Sequence, residues 1–315
     1  VTRIAGLLHD IGHGPFSHLY DDYIRTNEEE DHEKRGCLLF RNMVSKYNLP
    51  IEQKEVEQIC LMIDPTNEVK RYWPYQIIAN KICQIDVDKM DYIRRDCYHL
   101  GIEMTDTFSR IISNVRVIKT PLGNEVLGWP KKLEFDIFNL FAARYRLHKQ
   151  VYNHHTVKSH EFVVVEILKE IKKSIPSGLW KLTDASIMCT LHPQFASLIK
   201  KIHTRDTPKL VGELVVKLPH KSYHPEDPNP RHILNNIIQV TKIGFAGGLE
   251  NPLTQVYYYT KQEKNMGFRG KPQDSSFCIP SQHQELIVRM FTKSSNLTPC
   301  KKEWEQIKRQ WLSNA

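Results

Sequence analysis

The segment His9-Asp10-Ile11-Gly12-His13-Gly14-Pro15-Phe16-Ser17-His18 decides how this sequence is interpreted. It follows a short apolar stretch that predicts a helix, so His9 and Asp10 come at the C-terminal end of that helix. An adjacent imidazole and carboxylate can share one divalent metal ion. Gly12 and Gly14 permit a tight turn, which keeps such a site open to a phosphate. Core and capping histidines are the alternative, but two further histidines within nine residues favour a metal site.

The charge along the chain is uneven. The 315 residues hold 44 Lys and Arg against 36 Asp and Glu, a formal net charge of +8. Residues 1–31 carry two basic and seven acidic side chains, a net −5, so residues 32–315 carry +13. An acidic, histidine-rich start joined to a basic remainder suggests a metal centre beside surfaces that receive phosphates. A solvated basic face is the alternative explanation, and charge alone does not decide between them.

Composition excludes several classes of protein. No run of about 18 apolar residues exists, so no membrane-spanning helix is expected, and no signal peptide is visible at the start. Seven scattered cysteines without metal-ligand spacing favour a reducing compartment and buried thiols, hence an intracellular location in the nucleus or cytoplasm. The sequence does not begin with Met, and we expect it to be a fragment whose true beginning lies upstream.

The periodicity of apolar residues predicts a mainly α protein. We expect a helical body over residues 1–205, truncated at its N-terminus, and a smaller C-terminal α+β lobe over 206–315. Within them we predict a hairpin at 116–127, one long amphipathic stretch at 132–173, short helices at 184–189 and 193–202, a turn-rich linker at 225–230, strands at 210–218 and 255–261, and helices at 281–291 and 301–312.

Two stripes of polar residues recur at helical spacing. Asp88, Tyr92 and Asp96 are four apart, which places them on one face of a helix, and Arg144 begins a second series of the same kind. An isolated stripe of this type is more often a solvated or interhelical polar face. Two stripes in a chain that already holds the His-Asp segment favour a functional role.

Three blocks together resemble a known family. Residues 9–18, the block Ile85–Gly101 (IDVDKMDYIRRDCYHLG) and the block Phe141–His154 (FAARYRLHKQVYNH) are similar to the vertebrate-type SAM-and-HD-domain deoxynucleoside triphosphate triphosphohydrolases, a branch of the HD-domain metal phosphohydrolases. The resemblance implies metal-dependent hydrolysis of dNTPs to deoxynucleoside and inorganic triphosphate. It also implies that residues 1–205 form an HD-type phosphohydrolase body and that residues 206–315 form a lobe for regulation or oligomerisation. In the family this activity limits cellular dNTP pools and restricts viruses.

The resemblance also implies roles for individual residues. As ligands of a divalent zinc, iron or manganese ion it implies His9, Asp10 and Asp88. The family's ligand set has one more His, upstream of the His-Asp pair, and we expect it either to lie outside this sequence or to be absent from the protein. The SAM domain would also precede Val1. As catalytic residues it implies His18, His13, His32 and Asp21. Around the substrate it implies Lys89, Tyr92, Asp96, Arg144, His148 and Tyr152.

Family members of this type are activated by nucleotides and form dimers or tetramers. The positions near the activating GTP or dGTP and dNTP, with their Mg²⁺, correspond to Arg116, Lys132, Asp136, His154 and Lys261. His155 stands where the family usually has Lys. Two alternatives stay open: another HD-domain nucleotide phosphohydrolase, or a catalytically weakened HD protein that binds single-stranded nucleic acid.

Overall fold

A computed structural model of the protein describes residues 1–104, 108–189, 193–225, 227, 229–271 and 279–313. The described chain is mainly helical, as predicted, with two small sheets. The helices are α1 (Thr2–Leu8), α2 (His18–Tyr23), α3 (His32–Tyr47), α4 (Gln53–Ile63), α5 (Val87–His99), α6 (Phe108–Ser113), α7 (Glu134–Leu147), α8 (His155–Ser174), α9 (Asp184–Met188), α10 (Pro193–His203) and α11 (Leu297–Ser313). The strands are β1 (Arg116–Lys119), β2 (Glu125–Pro130), β3 (Lys209–Lys217), β4 (Arg231–Ile233), β5 (Asn236–Gly244), β6 (Tyr257–Tyr259), β7 (Phe268–Arg269) and β8 (Gln284–Thr292).

The chain divides into two compact units, each assembled from three segments. The first unit comprises Val1–His13, Glu30–Leu147 and Gly244–His283. The second unit comprises Gly14–Glu29, His148–Ile243 and Gln284–Ala315. The domain boundary at 205/206 stays a prediction.

The first unit is built on α1, α3 and α4, which share one apolar core. Ala5, Phe40 and Ile59 are fully buried there. Helix α4 begins with a capping box between Glu52 and Glu55, which satisfies backbone amides that a helix start otherwise leaves without partners. In the same unit α5 packs against α7. This packing places the residues of the predicted Asp88 stripe on a supported helix.

The predicted hairpin at 116–127 is confirmed. Strand β1 pairs with β2 in antiparallel register, and β2 continues the sheet by pairing in parallel with β6, where Trp129 lies opposite Tyr258. Strand β7 then pairs with β6. The first unit therefore contains a four-stranded sheet in the order β1-β2-β6-β7.

The second unit is built around α8. The apolar side of α8 packs with residues of α2, α9 and α10, and Ile167 and Leu168 are fully buried in that cluster. A second sheet of order β3-β8-β5-β4 packs against α11 through Trp304 and Trp311. The predicted short helices, the strand at 210–218 and the helix at 301–312 are confirmed.

The long amphipathic stretch predicted over 132–173 is helical, but it does not form one continuous helix. Helix α7 ends at Leu147, and a π-helical turn follows over His148–Tyr152. The Asn153 amide donates to the carbonyl of His148 at 3.0 Å, a wider loop than an α-helix makes. The His154 ring then caps α8 by accepting from the Thr156 amide at 3.3 Å. Apolar periodicity continues through this break, whereas the hydrogen bonds do not.

The predicted helix at 281–291 is wrong, because residues from Gln284 onward form strand β8. Its residues from Leu286 to Thr292 are all buried, since β8 lies between β3 and β5 in the sheet. A strand covered on both faces loses the alternation of apolar and polar residues by which strands are recognised. The segment is therefore as rich in apolar residues as a buried helix, and its sequence pattern does not distinguish the two.

None of the helices formed by the described residues is both long and apolar enough to cross a membrane. Of the cysteines in these residues, Cys189 is exposed and the other five are buried free thiols, as expected. Cys278 and part of the predicted linker, Glu226 and Pro228, lie outside the described residues.

Candidate metal centre and active site

His9, Asp10 and Asp88 converge in the first unit, where their ligand atoms all lie within 4.8 Å of one another. The His9 Nε2 atom lies 3.2 Å from Asp88 Oδ1 and 3.4 Å from Asp10 Oδ2. His9 and Asp10 directly follow α1, and Asp88 lies in the first turn of α5. The structure therefore brings together the three residues that were predicted as metal ligands from the family resemblance.

The ring of His9 faces hydrogen-bond acceptors on both sides. Its Nδ1 donates to the Gly6 carbonyl at 2.8 Å, which leaves Nε2 directed at the two carboxylates. The hydrogen bond with Asp88, followed by the charge of Asp10, raises the pKa of His9 to about 9 against the opposing effect of burial.

A neutral His9 would present a lone pair to negative charge. The position therefore favours either a proton or a metal ion on Nε2. A divalent ion fits, because one imidazole nitrogen and two carboxylates form a typical partial ligand set with room for water. The Gly6 carbonyl accepts from the nitrogen that faces away from the carboxylates, a contact of the kind that fixes a metal-binding imidazole in orientation.

The turn after Asp10 depends on close backbone packing. A Cβ on Gly12 would lie 2.0 Å from the His32 carbonyl oxygen and 2.3 Å from the Gly36 amide, so α3 approaches the turn as only glycine allows. The buried Arg35 holds the turn from the other side. Its Nε donates to the Gly12 carbonyl at 2.9 Å, and its second donor group reaches the Glu30 carbonyl at 2.6 Å.

His13 and His32 form a stacked pair beside Asp10. Their ring centroids are 4.0 Å apart and the planes are inclined by 13°. His13 Nε2 lies 3.6 Å from Asp10 Oδ1. The close contact with His13, together with the charges of His9, His13 and His32, holds the pKa of Asp10 below its ordinary value. Asp10 thus stays ionised and available as a ligand.

Helix α5 carries the predicted stripe of Asp88, Tyr92 and Asp96. Its N-cap residue Asp86 is buried, accepts from the Lys89 amide at 3.1 Å and receives the Lys89 ammonium at 2.9 Å. Burial raises the pKa of Asp86, and Lys89 opposes that shift. Lys89, predicted to face the triphosphate, is therefore held by a carboxylate in this structure. Asp96 lies farther along α5, 3.7 Å from Arg95.

Tyr92 and Arg144 meet where α5 packs against α7. Burial raises the pKa of Tyr92 to about 12, and the positive charge of Arg144, with a hydrogen bond between the two side chains, opposes that rise. One terminal nitrogen of Arg144 donates to the Gly244 carbonyl at 2.8 Å. The Arg144 Nε is buried and has no hydrogen-bond partner among the described residues. A cation with a buried and unused donor fits an anionic ligand.

The second unit holds His18, His148 and Tyr152. All three line one open cavity of about 760 Å³, together with Asp22, Lys158 and Asp184. The rings of His148 and Tyr152 meet edge to face with centroids 5.1 Å apart. Asp21 is the remaining predicted catalytic residue, and it lies on α2 with Arg25 3.9 Å from its carboxylate.

A basic cavity of about 590 Å³ opens in the first unit. It is lined by three residues predicted to bind activating nucleotides, Arg116, Lys132 and Lys261, and also by Lys131 and Lys264.

The other two predicted activator-binding residues have partners of their own. Asp136 is buried and accepts from Arg110 at 3.0 Å. His154 lies in the second unit, where its ring caps α8.

Sequence reasoning missed Arg35, Lys131, Lys264 and Asp184. Lys131 could have been found from its position beside Lys132 in a basic pair. Arg35 and Asp184 offer no local signal, because each acts on a backbone group that lies far away in the sequence.

Comparison with known proteins identifies the family. The HD domain profile matches residues 1–96. The chain is 32% identical to an HD domain-containing protein of Acanthamoeba polyphaga mimivirus, over 94% of this chain and 72% of that protein. The chain therefore belongs to the HD-domain family.

Other relatives carry a more specific name. The chain is 28% identical to a deoxynucleoside triphosphate triphosphohydrolase SAMHD1 homolog of Dictyostelium discoideum, over 93% of this chain and 61% of that protein. It is 25% identical to the SAMHD1 triphosphohydrolase of Homo sapiens, over 93% and 57% respectively. The resemblance drawn from the three sequence blocks is thus confirmed, and the chain spans about three fifths of the length of these triphosphohydrolases.

Proposed function

We propose that this protein is a metal-dependent triphosphohydrolase that converts dNTPs into deoxynucleosides and inorganic triphosphate. The observation that carries the proposal is the convergence of His9, Asp10 and Asp88, with the His9 ring held in orientation by the Gly6 carbonyl. The names of the relatives in Dictyostelium discoideum and Homo sapiens support the choice of dNTPs over other phosphate esters.

In this proposal His9, Asp10 and Asp88 hold a zinc, iron or manganese ion. When bound, such an ion lowers the pKa of its water and offsets phosphate charge. The stacked His13 and His32 keep Asp10 ionised. Water attacks the α-phosphorus, and His18 protonates the departing 5′-oxygen, with Asp21 orienting the acid.

The remaining predicted residues recognise the substrate. Arg144 offers its buried and unused Nε to the triphosphate, and Lys89 adds charge if it exchanges Asp86 for phosphate. Tyr92 and Asp96 bind the 3′-hydroxyl, and His148 supports the site. In this proposal Tyr152 excludes a ribose 2′-hydroxyl, so the site selects the sugar more strongly than the base.

We further propose that a nucleotide with Mg²⁺ binds the basic cavity. Arg116, Lys132, Lys261 and Lys264 line it, and none of them forms an ion pair within the described part of the chain. Unneutralised cations around a concave site favour a polyphosphate. GTP or dGTP there, and a dNTP, would activate a dimer or tetramer.

The test of the proposed function is triphosphate release from dGTP with Mn²⁺ or Zn²⁺, measured for this chain and for the same chain extended N-terminally. Asp10→Ala and Asp88→Ala should abolish turnover. His18→Ala should slow turnover and leave the metal bound. If neither chain releases triphosphate while metal is bound, the proposal is wrong, and loss of metal in the His18 variant would contradict the role of acid.

The +13 of residues 32–315 favours a second candidate, binding of single-stranded nucleic acid by a catalytically weakened protein. That function predicts an affinity that falls steeply with salt and is unchanged by Asp88→Ala. Hydrolysis of other nucleotides without dNTP turnover would instead indicate a different HD phosphohydrolase.

A further inference from the structure

His18 follows two consecutive residues in an unfavourable backbone conformation. Phe16 and Ser17 have φ of 59° and 51°, a region that residues other than glycine rarely adopt. Ser17 is the N-cap residue of α2 but makes no side-chain cap hydrogen bond. Helix α2 begins at His18, so the direction of the His18 side chain depends on this turn.

Several backbone groups of the turn form hydrogen bonds with one another. The Ser17 amide donates to Gly14 at 2.9 Å, and the Leu19 amide donates to the Phe16 carbonyl at 3.0 Å. A Cβ on Gly14 would lie 2.6 Å from the ring of Tyr20, so the entry to the turn is also closely packed. The Phe16 amide bonds outside the turn. It donates to the carboxylate of Asp184 at 2.8 Å, across 168 residues of sequence.

Asp184 is not needed to cap its own helix. Helix α9 is capped by Thr183, whose side chain accepts from the Ser186 amide at 3.2 Å while the Ser186 hydroxyl accepts from the Thr183 amide at 3.0 Å. A first-turn carboxylate does stabilise a helix start electrostatically, which is the purely structural explanation for Asp184. However, one oxygen of the Asp184 carboxylate accepts a hydrogen bond from the Phe16 amide, which lies outside α9.

We infer that Asp184 is a positioning residue for His18: its carboxylate fixes the strained Phe16–Ser17 turn and thereby aims the His18 imidazole into the cavity that both residues line. The inference rests on the proposed function for its catalytic consequence. Nothing in it requires Asp184 to touch the substrate.

The test compares three variants of the full chain. Asp184→Ala removes the acceptor, Asp184→Asn keeps an oxygen acceptor without the charge, and Thr183→Ala removes the cap of α9 while leaving Asp184 in place. The measurements are amide exchange of residues 14–20, Tm, and kcat and KM for triphosphate release from dGTP.

Asp184→Ala should accelerate exchange in residues 14–20 by about tenfold or more. It should lower kcat by about ten- to a hundredfold, with KM changed by less than about threefold. Asp184→Asn should restore both properties to within about threefold of the wild type, because an amide oxygen still accepts the hydrogen bond. Thr183→Ala should lower Tm and leave both properties unchanged.

Unchanged exchange in Asp184→Ala, or a kcat for Thr183→Ala as low as that of Asp184→Ala, would overturn the inference. So would a failure of Asp184→Asn to restore kcat. If neither the wild-type chain nor the N-terminally extended chain releases triphosphate while metal is bound, the proposed function fails, whereas the exchange of residues 14–20 and the NMR shifts of the His18 ring still decide the positioning role.

Discussion

His9 shows how much a single residue position can specify. The Nδ1 atom of His9 faces a carbonyl and the Nε2 atom faces two carboxylates, so both ring nitrogens face acceptors. A neutral ring donates from only one nitrogen, whereas a cation bound at Nε2 also satisfies the carboxylates. The metal-ligand types were predictable from sequence, since His9 and Asp10 are adjacent. The contribution of Gly6 was not, because it comes from a backbone carbonyl that carries no sequence signal.

Asp88 and Asp91 provide a matched pair for testing the metal site. Both lie on α5, but Asp88 contacts His9, whereas Asp91 is exposed and pairs with Arg95. We expect Asp88→Ala to weaken metal binding by at least about a hundredfold, since it removes a ligand and leaves His9 less well oriented. Asp91→Ala should bind metal as the wild type does. Equilibrium dialysis with Mn²⁺ or Zn²⁺ measures both, and equal metal affinity in the two variants would contradict the proposed ligand set.

Gly12 and Gly6 form a second matched pair. A Cβ on Gly12 meets backbone atoms of α3 at 2.0 and 2.3 Å, whereas one on Gly6 meets only the end of the Ile78 side chain at 3.3 Å. Gly12→Ala should therefore destabilise the fold by about 2–3 kcal/mol or more. Gly6→Ala, inside α1, should be neutral or stabilising by up to about 1 kcal/mol. Urea unfolding monitored by circular dichroism measures both, and a stable Gly12→Ala variant would show that α3 can move away from the turn.

At the scale of elements, local patterns predicted most helices and strands but failed at two places with a common cause. Strand β8 is buried on both faces, and the break between α7 and α8 is set by hydrogen bonds of Asn153 and His154. In both cases the apolar period is the same for the correct and the incorrect structure. The strand-pairing partners and the helix caps decide between the two structures. A single sequence does not show which strands pair.

The segment before β8 offers a test by pH. His283 is buried, its Nε2 has no partner among the described residues, and burial lowers its pKa below the ordinary 6.5. As the pH falls below about 6.5, the unfolded chain binds a proton that the folded chain refuses, so the free energy of unfolding should decrease. One such group contributes at most about 1.4 kcal/mol per pH unit.

His283→Gln should make this decrease shallower between pH 7 and pH 5. His155 and His232 have pKa values lowered by burial as well, so some of the slope should persist. Urea unfolding at several pH values measures the slope, with His203→Gln at an exposed position as the control. An identical slope in wild type and His283→Gln would show that His283 accepts its proton without opening the fold.

At the scale of the whole molecule, the two units are discontinuous in sequence. Segment 244–283 joins the first unit because β6 pairs with β2, with Trp129 opposite Tyr258. Such pairing joins residues more than a hundred positions apart, so the composition along the sequence does not predict it. The basic cavity has the same origin, since Arg116 and Lys132 come from one segment and Lys261 from another.

The basic cavity supplies the test at this scale. Lys132→Ala combined with Lys261→Ala should weaken GTP binding by about a hundredfold, since each charged hydrogen bond to phosphate contributes about 1.5–3 kcal/mol, roughly tenfold or more. The dependence of affinity on NaCl should also become shallower, because fewer cations face the phosphates. The matched control is Lys301→Ala with Lys302→Ala, which removes the same charge from exposed positions on α11. Calorimetric titration with GTP and Mg²⁺ measures all three proteins, and equal GTP affinity in both double variants would mean that net charge, and not this cavity, attracts the nucleotide.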